Sequence, residues 1–384
     1  MKNYLPLSLI AVVFILLFGA FALTACSPGR VTYLTSASGS TTPTPTATTW
    51  RYYGNAGFSA NQELYTNLAF NNNGQAYVAF SDKYFNSSAS VMTYNSGSST
   101  WSYLGNSDFT PGSASFVSLA LMNNVPYVAY EDGAHGGQAS VMYYTGTSWQ
   151  YAGSPGFNPG LAYGLSLAAY NSTLYLAFGD DNYAGELSVM TFSGTTWSYV
   201  GATSLTSNSV ASPSLVINNG IPIVAFPDPS THNPSVIAYT AGAWTHLGPA
   251  DINSTIIASP SLAVDNGYLY MAYLDQGNDK PTVLTYNGFG WVTVGGADFT
   301  PGTASNIDLT VSNGTPYVAF TDGNAGGNTS VMGYSGSSWT YVGSPGFAIN
   351  PGAGNYFTSY NNNGYVVFTD WAGNFQLSVM WNPL

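Results

Sequence analysis

The side chains that could do chemistry are few and widely spaced. The chain has one cysteine, Cys26, three histidines and seventeen acids against five bases. A lone cysteine has no disulfide partner within the chain, and a cysteine-based metal site is excluded. His135, His232 and His246 are too scattered along the chain for a metal centre. Asp275 and Asp279 bracket a Gly-Asn turn and could hold calcium, though they lack the ligand density of a dedicated loop. No Gly-x-Ser-x-Gly elbow and no phosphate-binding loop occurs. A glycosidase needs two carboxylates at working distance; seventeen acids leave room for such a pair, but nothing marks one. No cofactor is expected.

One acid stands out by its spacing. An aspartate recurs at Asp82, Asp132, Asp180, Asp228, Asp275, Asp322 and Asp370. One reading is an acidic ring for a cation or a basic partner. The other is that each carboxylate accepts backbone N–H bonds and shapes its own turn. Repetition favours the second, because a ligand without sevenfold symmetry would not need all seven.

The aspartates keep step with a longer pattern. Trp50, Trp101, Trp149, Trp197, Trp244, Trp291 and Trp339 are separated by 51, 48, 48, 47, 47 and 48 residues. Glycine follows each by four residues, from Gly54 to Gly343. An apolar residue follows by eight: Phe58, Phe109, Phe157, Leu205, Ile252, Phe299 and Phe347. Each unit holds four short strand patterns; in the second they span 101–105, 116–122, 126–130 and 140–144. Asn-Gly pairs such as Asn219-Gly220 and Asn313-Gly314 mark the first hairpin turn, where positive φ is needed. Repeated four-stranded units of this length predict an all-β chain, a seven-bladed β-propeller with four antiparallel strands per blade over residues 50–384. The region opens on a Trp strand and ends on the strand that should precede one. Residues 50–54 should therefore supply the outer strand of the last blade and close the ring, leaving no exposed edge.

The unit, with Ser-Val-Met-x-Tyr, then x-Gly-x-x-Trp, then x-Tyr-Val-Gly, resembles repeats of bacterial secreted and surface propellers. That resemblance implies no activity. The marks of WD, kelch and sialidase Asp-box repeats are absent. Arg51 is the one arginine of this region, too few for a sialidase, and a galactose-oxidase-like site would need a cysteine there.

Ahead of the repeats, residues 1–25 read as an export signal: Lys2, an apolar run over 5–22, then Leu23-Thr24-Ala25-Cys26. This segment resembles the lipobox of bacterial lipoproteins. The resemblance implies cleavage before Cys26, acylation of its thiol, and attachment to a membrane of the bacterial cell envelope on its extracytoplasmic side. Residues 26–49, beginning with Cys26 and otherwise mostly Ser, Thr, Pro and Ala, read as a flexible tether. Beyond it lie only three bases, Arg51, Lys83 and Lys280, against all seventeen acids. Nucleic acid is not expected as a partner, and contact with a membrane is expected through the lipid alone.

If the Trp strand is outermost, the loops between the second and third strands and between blades share one face. They are longer than the turns of the other face, so binding should sit there. Positions that break the repeat are the candidates. Tyr84, Phe85, Trp371 and Phe375, with Asn374 and Lys83 beside them, should form an aromatic patch where the last blade meets the first. Such aromatics suit a sugar ring or a protein partner, and can equally pack loops against the frame. Tyr183 is a further loop aromatic. Asp308 takes a position held elsewhere by Asn67, Ser118, Ser166, Ser214, Ser261 and Tyr356, near the central channel. There a carboxylate is costly unless solvated or paired. His246 replaces Tyr103, Tyr151 and Tyr199 and should be structural. The expected role is binding of a carbohydrate or an envelope or surface protein. The alternatives are a glycan hydrolase or lyase, and a non-catalytic scaffold of an envelope complex.

Overall fold

A computed structural model describes residues 49–60, 63–349, 355–370 and 375–384. The signal, lipobox and tether, Cys26 included, lie outside these residues, as do Trp371 and Asn374.

The described chain forms seven antiparallel four-stranded sheets. From the channel outward we name the strands of a blade a, b, c and d. Blade 2 shows the plan: Ala114–Met122 is a, Val125–Asp132 b, Gln138–Tyr144 c and Trp149–Tyr151 d. Valine, alanine and aromatic residues fill strands b and c at both parities because blades press on both of their faces. In blade 1 every residue of Ala76–Asp82 is buried. Six of the seven a–b hairpins turn on left-handed pairs, as with Asn219 at φ 50° and Gly220 at φ 83°.

Closure follows the expected route. Arg51–Tyr52 pairs antiparallel with the final strand, Arg51 opposite Trp381 and Tyr52 opposite Met380, as strand d of blade 7. Blades 7 and 1 then share one core, in which Leu68, Val78 and Phe80 meet Tyr365, Val367 and Leu377.

One device joins every blade to the next. Each Trp indole Nε1–H donates across the blade boundary to the carbonyl three residues after the preceding Trp. Trp101 reaches Tyr53 at 2.8 Å, Trp197 reaches Ala152 at 2.8 Å, and Trp50 closes the circle on Val342 at 2.7 Å. The next residue is the glycine that recurs four residues after each Trp. Gly54 holds φ 92°, and a Cβ there would lie 3.0 Å from the Trp101 ring. The apolar residue at the eighth step lies on the same indole: Phe109 stacks on Trp149 at 4.0 Å and Phe347 on Trp50 at 4.1 Å. Three registers of the repeat thus serve one contact, and a stacked aromatic pair adds about 0.5–1.5 kcal/mol beyond its burial.

We expect Trp50→Ala to lower stability by about 3–5 kcal/mol, through loss of a buried aromatic at the seam. Trp50→Phe, which keeps a ring for Phe347 but loses the Nε1 bond, should cost about 1–2 kcal/mol. Denaturant melts of both variants check this; midpoints equal to the parent would remove the Trp link as the closing contact.

Candidate functional site

The b–c turns and the interblade loops lie on one face, and there the recurrent aspartates divide into two groups. Asp82, Asp132, Asp180, Asp322 and Asp370 are buried. Four of them cap a short 3-10 turn; Asp322 accepts from Asn324 N–H at 2.9 Å with one oxygen. Its other oxygen accepts from Ser330 Oγ at 2.8 Å, eight residues on, and from the Tyr341 hydroxyl of strand d at 2.9 Å. Asp370 receives Ser378 at 2.8 Å and Tyr52 of the closing strand at 3.0 Å. These phenols are poor acids. Burial, with the carboxylate beside them, pushes both Tyr52 and Tyr341 up to about 12.

Blades 4 and 5 depart from this arrangement. Asp228 and Asp275 are only partly buried and make open turns, Asp228 accepting from Ser230 and Thr231 N–H and Asp275 from Gly277 N–H. His246 stands in the tyrosine's place and meets Ser235 Oγ at 3.3 Å. His135 in blade 2 lies 2.9 Å from Asp132. Among the described residues no three His, Cys, Asp or Glu side chains gather into a metal-holding group. Asp275 and Asp279 therefore lack a third acidic partner there.

The aromatic candidates differ in exposure. Tyr84 and Phe85 sit on the 3-10 turn Lys83–Phe85 and meet edge to face at 4.9 Å. Tyr84 is 64% exposed, Phe85 half-buried, and Phe375 is exposed with φ 66°. Tyr183 packs its edge on Tyr199 at 6.0 Å, against the frame. With Trp371 and Asn374 outside the described residues, the structure gives blades 1 and 7 as neighbours and leaves the patch itself as an expectation.

The a strands surround a cavity of about 370 Å³ on the propeller axis. Asp308 and its six counterparts all line it. Six of them, all but Tyr356, link one blade to the next. Ser118 Oγ accepts from Leu167 N–H, Ser166 from Leu215 and Ser214 from Leu262, each at 3.0 Å. Asp308 makes the same link with more capacity. One oxygen accepts from Phe357 N–H at 2.7 Å, and the other from Ser261 Oγ at 2.8 Å and Leu309 N–H at 3.0 Å. The channel is narrow, so Asp308 keeps some accessible surface while protein surrounds it. Burial raises its carboxyl to about 6, with those three bonds pulling the other way.

Two residues were not singled out by the repeat pattern; they stand at the strand-a step where Ser212 and Ser259 line the rim of the cavity, and so beside the channel mouth. Strand a carries a β-bulge in five blades, as where Leu64 pairs Ser81 but Asn67 pairs Ala79. In blade 3 the bulge holds Gly164, in blade 5 Ser259 and in blade 6 Asn306, all at positive φ. Blades 1 and 2 place Tyr65 at φ 52° and Phe116 at φ 50° there, and the two rings meet at 5.2 Å. Their signal in the sequence is faint: two aromatics at the step where another copy has glycine. On the opposite side of the mouth a cleft of about 400 Å³ opens between blades 4 and 5, beside Pro229, His232 and Ile256, and it shares Ser212 and Ser259 with the channel.

These features define the chain as a seven-bladed β-propeller whose departures from symmetry collect on the long-loop face and around the channel mouth. No protein-family model matches the sequence, and a comparison with curated proteins found no match. Among solved structures, YCF48 from Cyanidioschyzon merolae superposes with a TM-score of 0.53 at 13% identity, over 87% of this chain and 98% of that one. The fungal lectin of Aleuria aurantia, described as a six-bladed propeller with a fucose recognition mode, gives 0.50 at 16% identity, over 74% and 99%. AofleA from Arthrobotrys oligospora, as a mutant, gives 0.50 at 11% identity, over 78% and 91%. Likeness at this distance shows the propeller fold.

The channel carboxyl has a consequence for stability. An acid raised to about 6 from its ordinary 3.8 holds its proton more tightly when folded. Stability should therefore fall as pH rises from about 4 to about 6, and stay level above. Asp308→Asn keeps an acceptor for Phe357 N–H, as Asn67 accepts from Leu119 N–H in blade 1. We expect this variant to be more stable than the parent by up to about 3 kcal/mol at pH 7, with the difference vanishing near pH 4. Melting curves across that range check it; parallel profiles would show that Asp308 does not titrate there.

Proposed function

We propose that this chain is a binding protein of the bacterial cell envelope, held to a membrane by a lipid on Cys26 and facing the extracytoplasmic side. In this reading it recognises a carbohydrate or an envelope protein through its long-loop face. The observation that carries the reading is the split between spent and unspent side chains. The repeated Trp, the buried Asp and the channel Ser residues are engaged in holding turns and blades. The buried turn carboxylates accept two or three protein donors each, which fits poorly with proton transfer to a substrate. The side chains still exposed on that face include aromatic and amide-bearing ones, with Tyr84 the clearest case. Flat aromatics beside hydrogen-bonding groups suit sugar faces and protein hot spots. The fungal lectin lends support only through the shared architecture.

A glycan array with the full chain in detergent tests the binding role, with envelope-protein crosslinking beside it. We expect a specific glycan signal that Trp371→Ala or Tyr84→Ala weakens by about tenfold, roughly 1.4 kcal/mol. A blank array together with no crosslinked partner would end the reading, and release of reducing ends from polysaccharides would replace it with catalysis. The anchor is tested separately. Cys26→Ala should shift the protein from the membrane to the soluble fraction and abolish palmitate labelling; an unlabelled parent would refute the lipid.

A further inference from the structure

Tyr65 and Phe116 occupy backbone that their residue types avoid. Left-handed φ costs a bulky side chain about 1–2 kcal/mol, and such strain clusters at ligand sites. The bulge does not require an aromatic, because Gly164, Ser259 and Asn306 make it in other blades. Burial does not explain Tyr65 either: it is 41% exposed, and its hydroxyl has no protein partner among the described residues. The frame thus keeps a strained, exposed ring at the channel mouth, in contact with a second strained ring.

The chemistry below the mouth is selective. Ser118, Ser166 and Ser214 each use an oxygen lone pair to accept a backbone N–H, and among the described residues no protein acceptor takes their hydroxyl hydrogens. The ring therefore presents donors to the cavity, an arrangement poorly suited to a metal cation. Among the described residues no Lys or Arg lines it, and Asp308 opposes an anion. What fits hydroxyl donors, one carboxylate with spare acceptor capacity and an aromatic rim is a neutral, polyhydroxylated ring. The cavity lies near the lower end of the ~300–1,000 Å³ range of small-molecule pockets, which favours a single such unit.

We propose that the channel mouth binds one neutral sugar residue, its apolar face against Tyr65 and Phe116 and its hydroxyls on the ring of Ser118, Ser166 and Ser214. A longer glycan leaves through the blade 4–5 cleft, past Ser212 and Ser259 toward Ile256. The proposal rests on the carbohydrate branch of the functional reading and adds a site and a charge preference to it.

Saturation-transfer NMR on the full chain in detergent tests it, with neutral methyl hexosides and N-acetylhexosamines as probes. Methyl glucuronide and glucosamine serve as the anionic and cationic comparisons. We expect binding of at least one neutral probe and of neither charged one. Tyr65→Gly should weaken it at least about tenfold while raising the melting temperature, since glycine relieves the left-handed strain. A merely structural Tyr65 would show the reverse, a lower melting temperature with binding intact. Phe116→Gly gives a second reading if Tyr65→Gly does not fold, and Phe289→Ser, on the opposite face, should change nothing. Array binding lost in Trp371→Ala but unaffected by Tyr65→Gly and Phe116→Gly would overturn the channel site and spare the general role. Preference for a charged probe would overturn it as well. Silence of both array and panel would remove the two together.

Discussion

Everything in this fold depends on the indole that crosses each blade boundary. A ring of sheets with no covalent staple needs a contact that fixes both spacing and rotation between neighbours. The Trp side chain supplies it through two unlike forces. The Nε1–H bond to a carbonyl of the previous blade is directional and sets the angle, as in the 2.7 Å bond from Trp50 to Val342. The stacked aromatic beneath, Phe347 for Trp50, is broad and apolar and supplies burial. Because Trp50 lies in the N-terminal strand, the same contact that joins ordinary neighbours also joins the two ends of the chain. Closure is one more use of the repeat.

Inside that outer ring runs a polar one, the Ser and Asp acceptors around the channel. It answers a different problem. Strand a is the inner edge of every sheet, and an inner edge leaves backbone N–H groups facing a narrow, partly wet space. A serine from one blade accepting the N–H of the next satisfies that group without filling the channel. The hydroxyl hydrogen left over is a by-product of this solution, and it gives the channel its donor character. The same frame requirement that makes the ring repeat thus supplies chemistry that a ligand can read.

The sequence shows the outer ring plainly and the channel mouth hardly at all, for physical reasons. The glycine four residues after one Trp and the apolar residue eight after it both pack on the indole of the next, as Gly54 and Phe58 do on Trp101, so all three registers share one constraint and the period stands out. Strand order, the closing strand and the shared face of the long loops follow from that period. Asp308 was visible as a break in the serine register, and its hydrogen bonds explain how a carboxylate is tolerated there. The division of the seven aspartates was not visible, because it depends on which donors elsewhere in the blade reach the inner oxygen: Ser330 and Tyr341 in blade 6, Ser140 and His135 in blade 2, Tyr199 in blade 3. Tyr65 and Phe116 escaped for a further reason. A bulge is a mismatch between two strands, and a one-strand pattern cannot show which residue is pushed into left-handed φ.

A symmetric frame also says where to look for function. Seven equivalent blades offer seven equivalent surfaces, and a ligand without that symmetry must be met by what differs among them. The differences here are not spread evenly. Blades 1 and 2 bring strained aromatics to the mouth, and blade 6 brings the carboxylate. Blades 4 and 5 give up the capped turn and open a cleft in its place. Losing the buried turn aspartate in two adjacent blades weakens them locally, yet the Trp link still holds them, Trp244 to Val200 at 2.7 Å and Trp291 to Leu247 at 2.7 Å. The redundancy of the outer ring is what allows the loop face to depart from the repeat, and strain and openness can gather at one mouth while the disc stays closed.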